Sequence, residues 1–102
     1  MKQFIKNINK VFDNRVRLGI MSVLVVNDAM SFTDLKELLG VTDGNLASHL
    51  KALEKAKYIK FEKTFVGRKP NTKYIATNEG VVAFKKHIEA LENIIKMKNN
   101  KT

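Results

Sequence analysis

The chain has 102 residues with nineteen basic and ten acidic side chains, which gives a formal net charge of +9. This length suits one domain with a modest core, since 44% of the residues are hydrophobic. The absence of cysteine excludes disulfides and thiolate chemistry, and the short, interrupted apolar runs predict neither a signal peptide nor a membrane-spanning helix, so we expect a cytoplasmic protein.

The first two predicted helices occupy residues 2–12 and about 13–27. Residues 2–12 are amphipathic, because apolar side chains recur on one helical stripe. That stripe comprises Phe4, Ile5, Ile8, Val11 and Phe12. Asp13 or Asn14 can cap the second helix. Its inward-facing residues are expected to be Val16, Ile20, Val23, Leu24 and Val26.

A short helix, a tight turn and a fourth helix are predicted next. Ser31 followed by Asp34 is a capping-box-like start for the short helix, which ends at Leu39-Gly40. Its apolar positions are Leu35, Leu38 and Leu39. The sequence GVTDGN then predicts a tight turn in which Thr42 caps the fourth helix.

The fourth helix, within VTDGNLASHLKALEKAKYI (residues 41–59), has two different sides. Leu46, Leu50 and Leu53 recur at positions i, i+4 and i+7, which places them on the core. The opposite side then carries Gly44, Asn45, Ser48, His49, Lys51, Ala52 and Lys55. A short helix joined by a glycine-containing turn to such a helix is a helix-turn-helix pattern, whose second helix enters the major groove of DNA.

The small polar residues of this helix suit a contact with bases. Asparagine, serine and histidine can hydrogen-bond base edges, and a glycine lets the backbone approach a duplex closely. The alternatives are that His49 is solvated or packs locally, and that Gly44 is a tolerated surface glycine.

A β-hairpin and a long last helix complete the predicted order. Residues 58–66, YIKFEKTFV, alternate apolar and polar side chains as a strand does. On one face lie Ile59, Phe61 and Phe65. GRKPNT predicts the turn and KYIA the returning strand. Thr77 or Asn78 can cap a helix that runs to about Lys98. Its apolar stripe comprises Val81, Phe84, Ile88, Leu91 and Ile95.

Two-thirds of the excess positive charge lies in residues 51–73. This segment has eight basic and two acidic residues. Such a cluster is typical of a surface that binds a phosphate backbone. A lysine-rich composition accounts for the total charge but not for its clustering. The basic residues are Lys51, Lys55, Lys57, Lys60, Lys63, Arg68, Lys69 and Lys73.

Three stretches of the sequence resemble the winged-helix transcriptional regulators of the MarR/ArsR type. They are NRVRLGIMSVL (14–24), SFTDLKELLGVTDGNLASHLKALEKAKYI (31–59) and GRKPNTKYIATNEG (67–80). The resemblance covers about residues 14–90. It implies a recognition helix at 43–56, a wing at 58–76 with Arg68 at its tip, and dimerisation through the terminal helices. Val66-Gly67 precede Arg68 where MarR wings commonly carry an aspartate, and His49 and His87 cannot replace the thiolates of the ArsR metal sensors.

These patterns together predict a mainly α fold with a small β-hairpin, a winged helix-turn-helix in one domain over residues 1–102. Its core is expected at 14–80, and helices 2–12 and 81–98 are expected to form a dimer interface, because exposed apolar stripes usually mark interfaces. The predicted interface residues are Phe4, Ile5, Ile8, Ile88, Leu91, Ile94 and Ile95. The predicted DNA-binding residues are Thr42, Gly44, Asn45, Ser48, His49, Lys51, Lys55, Arg68, Lys69 and Lys73. Arg15 and Arg17 are expected on the outside of their helix, where either could touch phosphate.

The predicted function is sequence-specific binding of double-stranded DNA by a transcriptional regulator, as a homodimeric repressor. The sequence has no nucleophile–base constellation, glycine-rich phosphate loop or metal-ligand cluster, so we predict neither an enzyme nor a cofactor. A cleft in the dimer could bind a small effector, although no polar cluster identifies one. A non-specific nucleoid protein and a winged-helix protein-interaction module are the alternatives.

Overall fold

A computed structural model gives the structure of residues 5–99, with side chains described through residue 96. A 3-10 helix at Lys10–Phe12 is followed by helix α1, Arg15–Val26, and strand β1, Met30–Ser31. Helices α2, Phe32–Leu39, and α3, Asp43–Lys55, come next. Strands β2, Ile59–Val66, and β3, Lys69–Ala76, then lead into helix α4, Asn78–Asn99. The predicted mainly α fold with a β-hairpin is confirmed.

The continuous first helix predicted at 2–12 is wrong in the part that the structure describes. Residues 5 and 6 are helical, residues 7 and 8 turn, and Asn9 is extended and caps the 3-10 helix by accepting a hydrogen bond from the Val11 N–H. The Asn9 backbone N–H donates to Nδ1 of His87 at 3.1 Å, and its side-chain amide donates to the Tyr58 hydroxyl at 2.9 Å. These tertiary bonds compete with helical ones, because an asparagine side chain readily leaves the helix for such partners. Phe4 lies outside the described residues.

Helix α1 begins as predicted and buries a slightly rotated face. The side chain of Asn14 caps it by accepting from the N–H groups of Val16 and Arg17. Its fully buried residues are Ile20, Met21 and Leu24. Val26, which was expected to face inward, is 79% exposed. The reason is that Ile20, Met21 and Leu24 define the buried side of the helix, and Val26 lies on the opposite side of the helix from them.

The caps of α2 and α3 confirm the predicted helix-turn-helix. The Ser31 hydroxyl accepts from the N–H of Asp34, and Gly40 ends α2 in the left-handed conformation. The Thr42 hydroxyl accepts from the N–H of Asn45 at the start of α3. The predicted buried stripe of α3 is correct, because Leu46, Leu50 and Leu53 are all at most 1% exposed. Of the apolar residues expected to face the core from α2, Leu38 is instead 60% exposed, since Leu35 and Leu39 already fill the contact with the core.

The sheet is antiparallel with strand order β1-β3-β2. Strands β2 and β3 pair from Ile59 with Ala76 to Val66 with Lys69, so the loop has two residues and the predicted six-residue turn is too long. Gly67 has φ of 67° at the first loop position, as a type II′ hairpin turn requires. Strand β1 was not predicted, because two residues are too few to show a period.

The start of α4 is joined tightly to the turn between α3 and β2. The Thr77 hydroxyl donates to the Lys57 carbonyl at 2.7 Å and accepts from the Gly80 N–H at 2.9 Å, so Thr77 is the cap predicted for this helix. The Thr77 N–H also donates to the Tyr58 carbonyl at 2.9 Å. A Cβ on Gly80 would fall on the Tyr58 carbonyl, 2.8 Å from its carbon. The close approach of two backbones therefore explains this glycine.

The principal extents of the described chain are 61 × 25 × 21 Å. One ring cluster joins the two ends of the chain, because Phe12 lies 5.3 Å from Tyr58 and 5.5 Å from Phe84 between ring centroids. Within residues 5–99, no helix is both long and apolar enough to cross a membrane.

Candidate nucleic-acid interface

The outer face of α3 is small, polar and exposed. The three buried leucines fix the rotation of the helix, and Ser48 lies on the side away from them. Exposed residues of this helix comprise Asp43, Gly44, Asn45, Ala47, Ser48, Lys51 and Lys55, while Ala52 is half-buried. Nothing lies within 4 Å of the position that a Gly44 Cβ would take, so this part of the helix is open to a close partner.

His49 lies on the flank of α3 rather than in the middle of its outer face. It is half-buried, and its ring nitrogen Nδ1 lies 3.0 Å from Nη1 of Arg17 in α1. Because each residue turns an α-helix by about 100°, His49 lies about 70° from the centre of the leucine stripe. The expectation that it faces fully outward is therefore too simple: the residue borders both the core and the outer face.

Arg17 is the residue of this surface that sequence reasoning placed least well. It was expected to point outward, yet it is half-buried, and its Nε donates to the Val11 carbonyl at 2.6 Å. No local signal reveals the contact of Arg17 with His49, because the two residues are 32 residues apart in the chain. Arg15, by contrast, is exposed as expected.

The start of α3 is bordered by a cleft of about 500 Å³. Arg15, Thr42 and Asn45 lie among its lining residues, so a cation, a hydroxyl and an amide lie together at the positive end of the helix dipole. An ion pair of 2.8 Å between Lys36 and Asp43 joins α2 to α3 across the turn. Both partners are largely exposed, so this pair contributes little to stability.

The hairpin extends from the body as a basic arm. Every residue from 60 to 70 is exposed, and Arg68 occupies the turn. Strand pairing places Lys60, Lys69 and Lys73 on one face, with Glu62 directly opposite Lys73. The predicted grouping of Ile59, Phe61 and Phe65 on the other face is confirmed. Phe61 and Phe65 are nevertheless 50% and 72% exposed, because the hairpin extends beyond the core.

Several terminal apolar residues are also exposed. Ile5, Leu91 and Ile95 are 58%, 37% and 61% exposed. Half-buried residues of the predicted interface comprise Ile8, Ile88 and Ile94. A groove of about 1060 Å³ runs between residues 5–10, Tyr58 and the first turns of α4.

Two ionisable groups outside α3 have shifted pKa values. Burial lowers the pKa of His87, which is 4% exposed, and the negative charge of Asp13 acts weakly in the opposite direction. Burial also raises the pKa of the Tyr74 hydroxyl, and the charge of Glu54 adds to that effect. Among the described residues, no group of three or more His, Asp or Glu side chains could hold a metal ion.

Similarity to known proteins agrees with this arrangement. Residues 16–95 match a family described as "Winged helix DNA-binding domain". An uncharacterized protein of Methanocaldococcus jannaschii is 39% identical over 79 residues, which are 78% of this chain and 86% of that protein. The structure of the transcriptional regulator homologue protein from Pyrococcus horikoshii OT3 is similar with a TM-score of 0.82 at 32% identity, over 93% of this chain and 92% of that one. PadR of Bacillus subtilis, solved in complex with operator DNA, shares the fold with a TM-score of 0.65 at 20% identity, over 74% of this chain and 48% of that one.

Proposed function

This chain belongs to the family of winged helix DNA-binding domains that includes transcriptional regulators, and from that premise we propose that it is a sequence-specific, dimeric repressor. The observation that carries the proposal is the outer face of α3. Three buried leucines hold its small polar side chains outward, next to a fully exposed basic hairpin. A helix in the major groove needs such a face, because bulky apolar side chains would clash with the duplex.

The proposed DNA contacts fall into two groups. Asn45, Ser48 and His49 read base edges, while Gly44 allows close approach and Thr42 presents the start of α3. Lysines of α3 and the hairpin, with Arg68 at the turn, contact phosphates and release counterions whatever the sequence. The phosphate-contacting residues are Lys51, Lys55, Lys60, Lys63, Arg68, Lys69 and Lys73.

Base reading is tested by comparing selected operator DNA with random duplex at one salt concentration. Asn45→Ala or Ser48→Ala should weaken operator binding by roughly 1–3 kcal/mol and leave random duplex nearly unaffected. Lys69→Ala should instead weaken both DNAs alike and reduce the salt slope by about one. Lys85→Ala on α4 removes the same charge from an exposed site away from α3 and is the matched control. Equal losses on both DNAs for Asn45→Ala would contradict base reading.

The same measurement separates the alternative functions. A nucleoid protein would bind operator and random DNA with similar affinity, whereas a regulator keeps a large specificity ratio. A protein-interaction module would show no salt-dependent DNA binding near physiological ionic strength.

The proposed homodimer uses Phe4, Ile5, Ile8, Ile88, Leu91, Ile94 and Ile95. Exposed apolar side chains at both ends of the described chain support it, since patches of this kind commonly mark interfaces. A two-fold dimer would place its recognition helices about one turn of DNA apart. Sedimentation should give a dimer that Ile95→Glu weakens, while Val26→Glu, at an even more exposed apolar residue of α1, should leave it intact. A monomeric wild-type protein at micromolar concentration would refute the dimer. A small-molecule effector and the absence of enzymatic activity stay predictions.

A further inference from the structure

Arg17 is held at two points between the N-terminal segment and the DNA-facing helix. Its Nε donates to the Val11 carbonyl at 2.6 Å, and its Nη1 lies 3.0 Å from Nδ1 of His49. Its own N–H is bonded to the Asn14 cap at 3.2 Å. Backbone and side chain are therefore both anchored, so the guanidinium has a fixed orientation towards the imidazole.

The contact determines where the imidazole of His49 carries its hydrogen. A guanidinium has only donors, so Nδ1 of His49 is the acceptor and the ring hydrogen is on Nε2. Within residues 5–99, Nε2 of His49 has no hydrogen-bond partner. Every buried side-chain nitrogen or oxygen in this part of the chain has a partner, so Nε2 is not buried. Nε2 is therefore accessible to solvent and free to act as a donor.

We propose that Arg17 is a positioning residue that makes His49 a hydrogen-bond donor at Nε2, so that His49 accepts a base with a major-groove acceptor and rejects cytosine. Both purines present an N7 acceptor there and thymine presents its O4, whereas cytosine presents only an amino donor. Without Arg17 a neutral imidazole could carry its hydrogen on either nitrogen, and Nε2 could then accept from an amino group as well as donate. The guanidinium thus turns an ambiguous side chain into one that rejects cytosine. The inference rests on the proposed function, because it concerns which base that function reads.

The first measurement needs no DNA and isolates the geometry. In protein labelled with ¹⁵N in histidine, at a pH where the ring is neutral, Nε2 of His49 should resonate as a protonated nitrogen and Nδ1 as an unprotonated one. Arg17→Met should convert this pattern into a mixture of the two forms. A hydrogen on Nδ1 in the wild-type protein would overturn the inference, whatever DNA does.

The second measurement selects duplexes from a random pool with the full-length wild type and three variants. Arg17→Met and His49→Ala should lose the discrimination against cytosine at the same position, by roughly tenfold. Arg17→Met should have no further effect on that discrimination when His49 is already alanine. Arg15→Met removes the same charge from an exposed neighbour and should weaken binding without changing the preferred sequence. Where the selected base is adenine, replacing it by 7-deazaadenine should weaken binding by the wild type but not by His49→Ala.

The outcomes separate this inference from the function on which it rests. A wild-type protein that prefers certain sequences, and a folded Arg17→Met variant that keeps the same preference, would overturn the role of Arg17 alone. A wild-type protein without sequence preference would overturn base reading altogether. If Arg17→Met does not fold, Arg17→Lys, which keeps a head group made only of donors, should retain the preference; a folded Arg17→Lys variant that prefers cytosine there would equally refute the proposal.

Discussion

Replacing Gly80 by alanine should destabilise the fold, whereas the same replacement at Gly44 should stabilise it. A Cβ at position 80 would lie 2.8 Å from the carbonyl carbon and 2.9 Å from Cα of Tyr58, where carbon atoms normally keep about 3.5–4.0 Å. The same Cβ would also overlap the Tyr58 carbonyl oxygen, so the first turn of α4 must move away by about 1 Å or more. At position 44 nothing lies within 4 Å, so the added methyl group meets open space.

The size of the Gly80 effect follows from the bonds at that joint. Moving α4 stretches the Thr77 N–H bond to the Tyr58 carbonyl, 2.9 Å, and the Thr77 hydroxyl bond to the Lys57 carbonyl, 2.7 Å. Weakening each bond costs about 1 kcal/mol, and overpacking costs about 1 kcal/mol more. The higher helix propensity of alanine offsets about 1 kcal/mol of this loss. We expect Gly80→Ala to lower the free energy of unfolding by about 2 kcal/mol and Gly44→Ala to raise it by about 0.5–1 kcal/mol.

Urea unfolding followed by circular dichroism measures both variants. The protein concentration must be the same throughout, since dimerisation would make the midpoint concentration-dependent. For a domain of this size the Gly80 loss corresponds to a melting temperature about 8–16 °C lower. A Gly80→Ala protein as stable as the wild type would refute the close approach of α4 to Tyr58.

Three further variants test other local features. Lys57 follows α3 with φ of 67°, so Lys57→Gly should stabilise the fold by about 0.5–1 kcal/mol. Ala56→Gly, one residue earlier in right-handed helical geometry, should destabilise it. Two changes of the same sign would argue against left-handed strain at Lys57. Asn14→Ala removes the acceptor for two N–H groups of α1 and should cost about 1 kcal/mol in the same urea titration, whereas an unchanged midpoint would mean that the cap is unimportant. The pKa of His87 in the folded protein lies below the unfolded value of 6.5, so the unfolded chain binds more protons in acid. The contribution of His87 to the free energy of unfolding is therefore complete above pH 6.5 and is lost as the pH falls through the folded pKa. Replacing His87 by glutamine should flatten this dependence, and an equal slope in both proteins would exclude His87 as its source.

Local signals predicted most helix boundaries of this fold. Asn14, Ser31 and Thr42 each cap a helix through an N–H group two or three residues away, so a few letters of sequence contain the whole interaction. The leucine stripe of α3 was equally readable, because a helix repeats its buried face at fixed spacing.

What could not be predicted depends on partners that are distant in sequence. Asn9 interrupts a regular apolar stripe because it bonds to His87, 78 residues later. Strand β1 exists because Met30 and Ser31 meet Tyr74 and Lys73 of β3. On the outer face of α3, the exposed polar residues followed from periodicity, while the contact of Arg17 with His49 needed the fold that brings two helices together.

The length of α4 has a mechanical consequence for the proposed dimer. The helix has 22 residues and is fixed at its first turn by Thr77 and Gly80. At 1.5 Å per residue it is a lever of about 33 Å, so a tilt of about 10° at the joint swings the far end by about 6 Å. Adjacent base pairs are about 3.4 Å apart along a duplex, so that swing equals nearly two of them. In the proposed dimer, the tight contact of Gly80 with Tyr58 would therefore limit how much the spacing of the two recognition helices can vary.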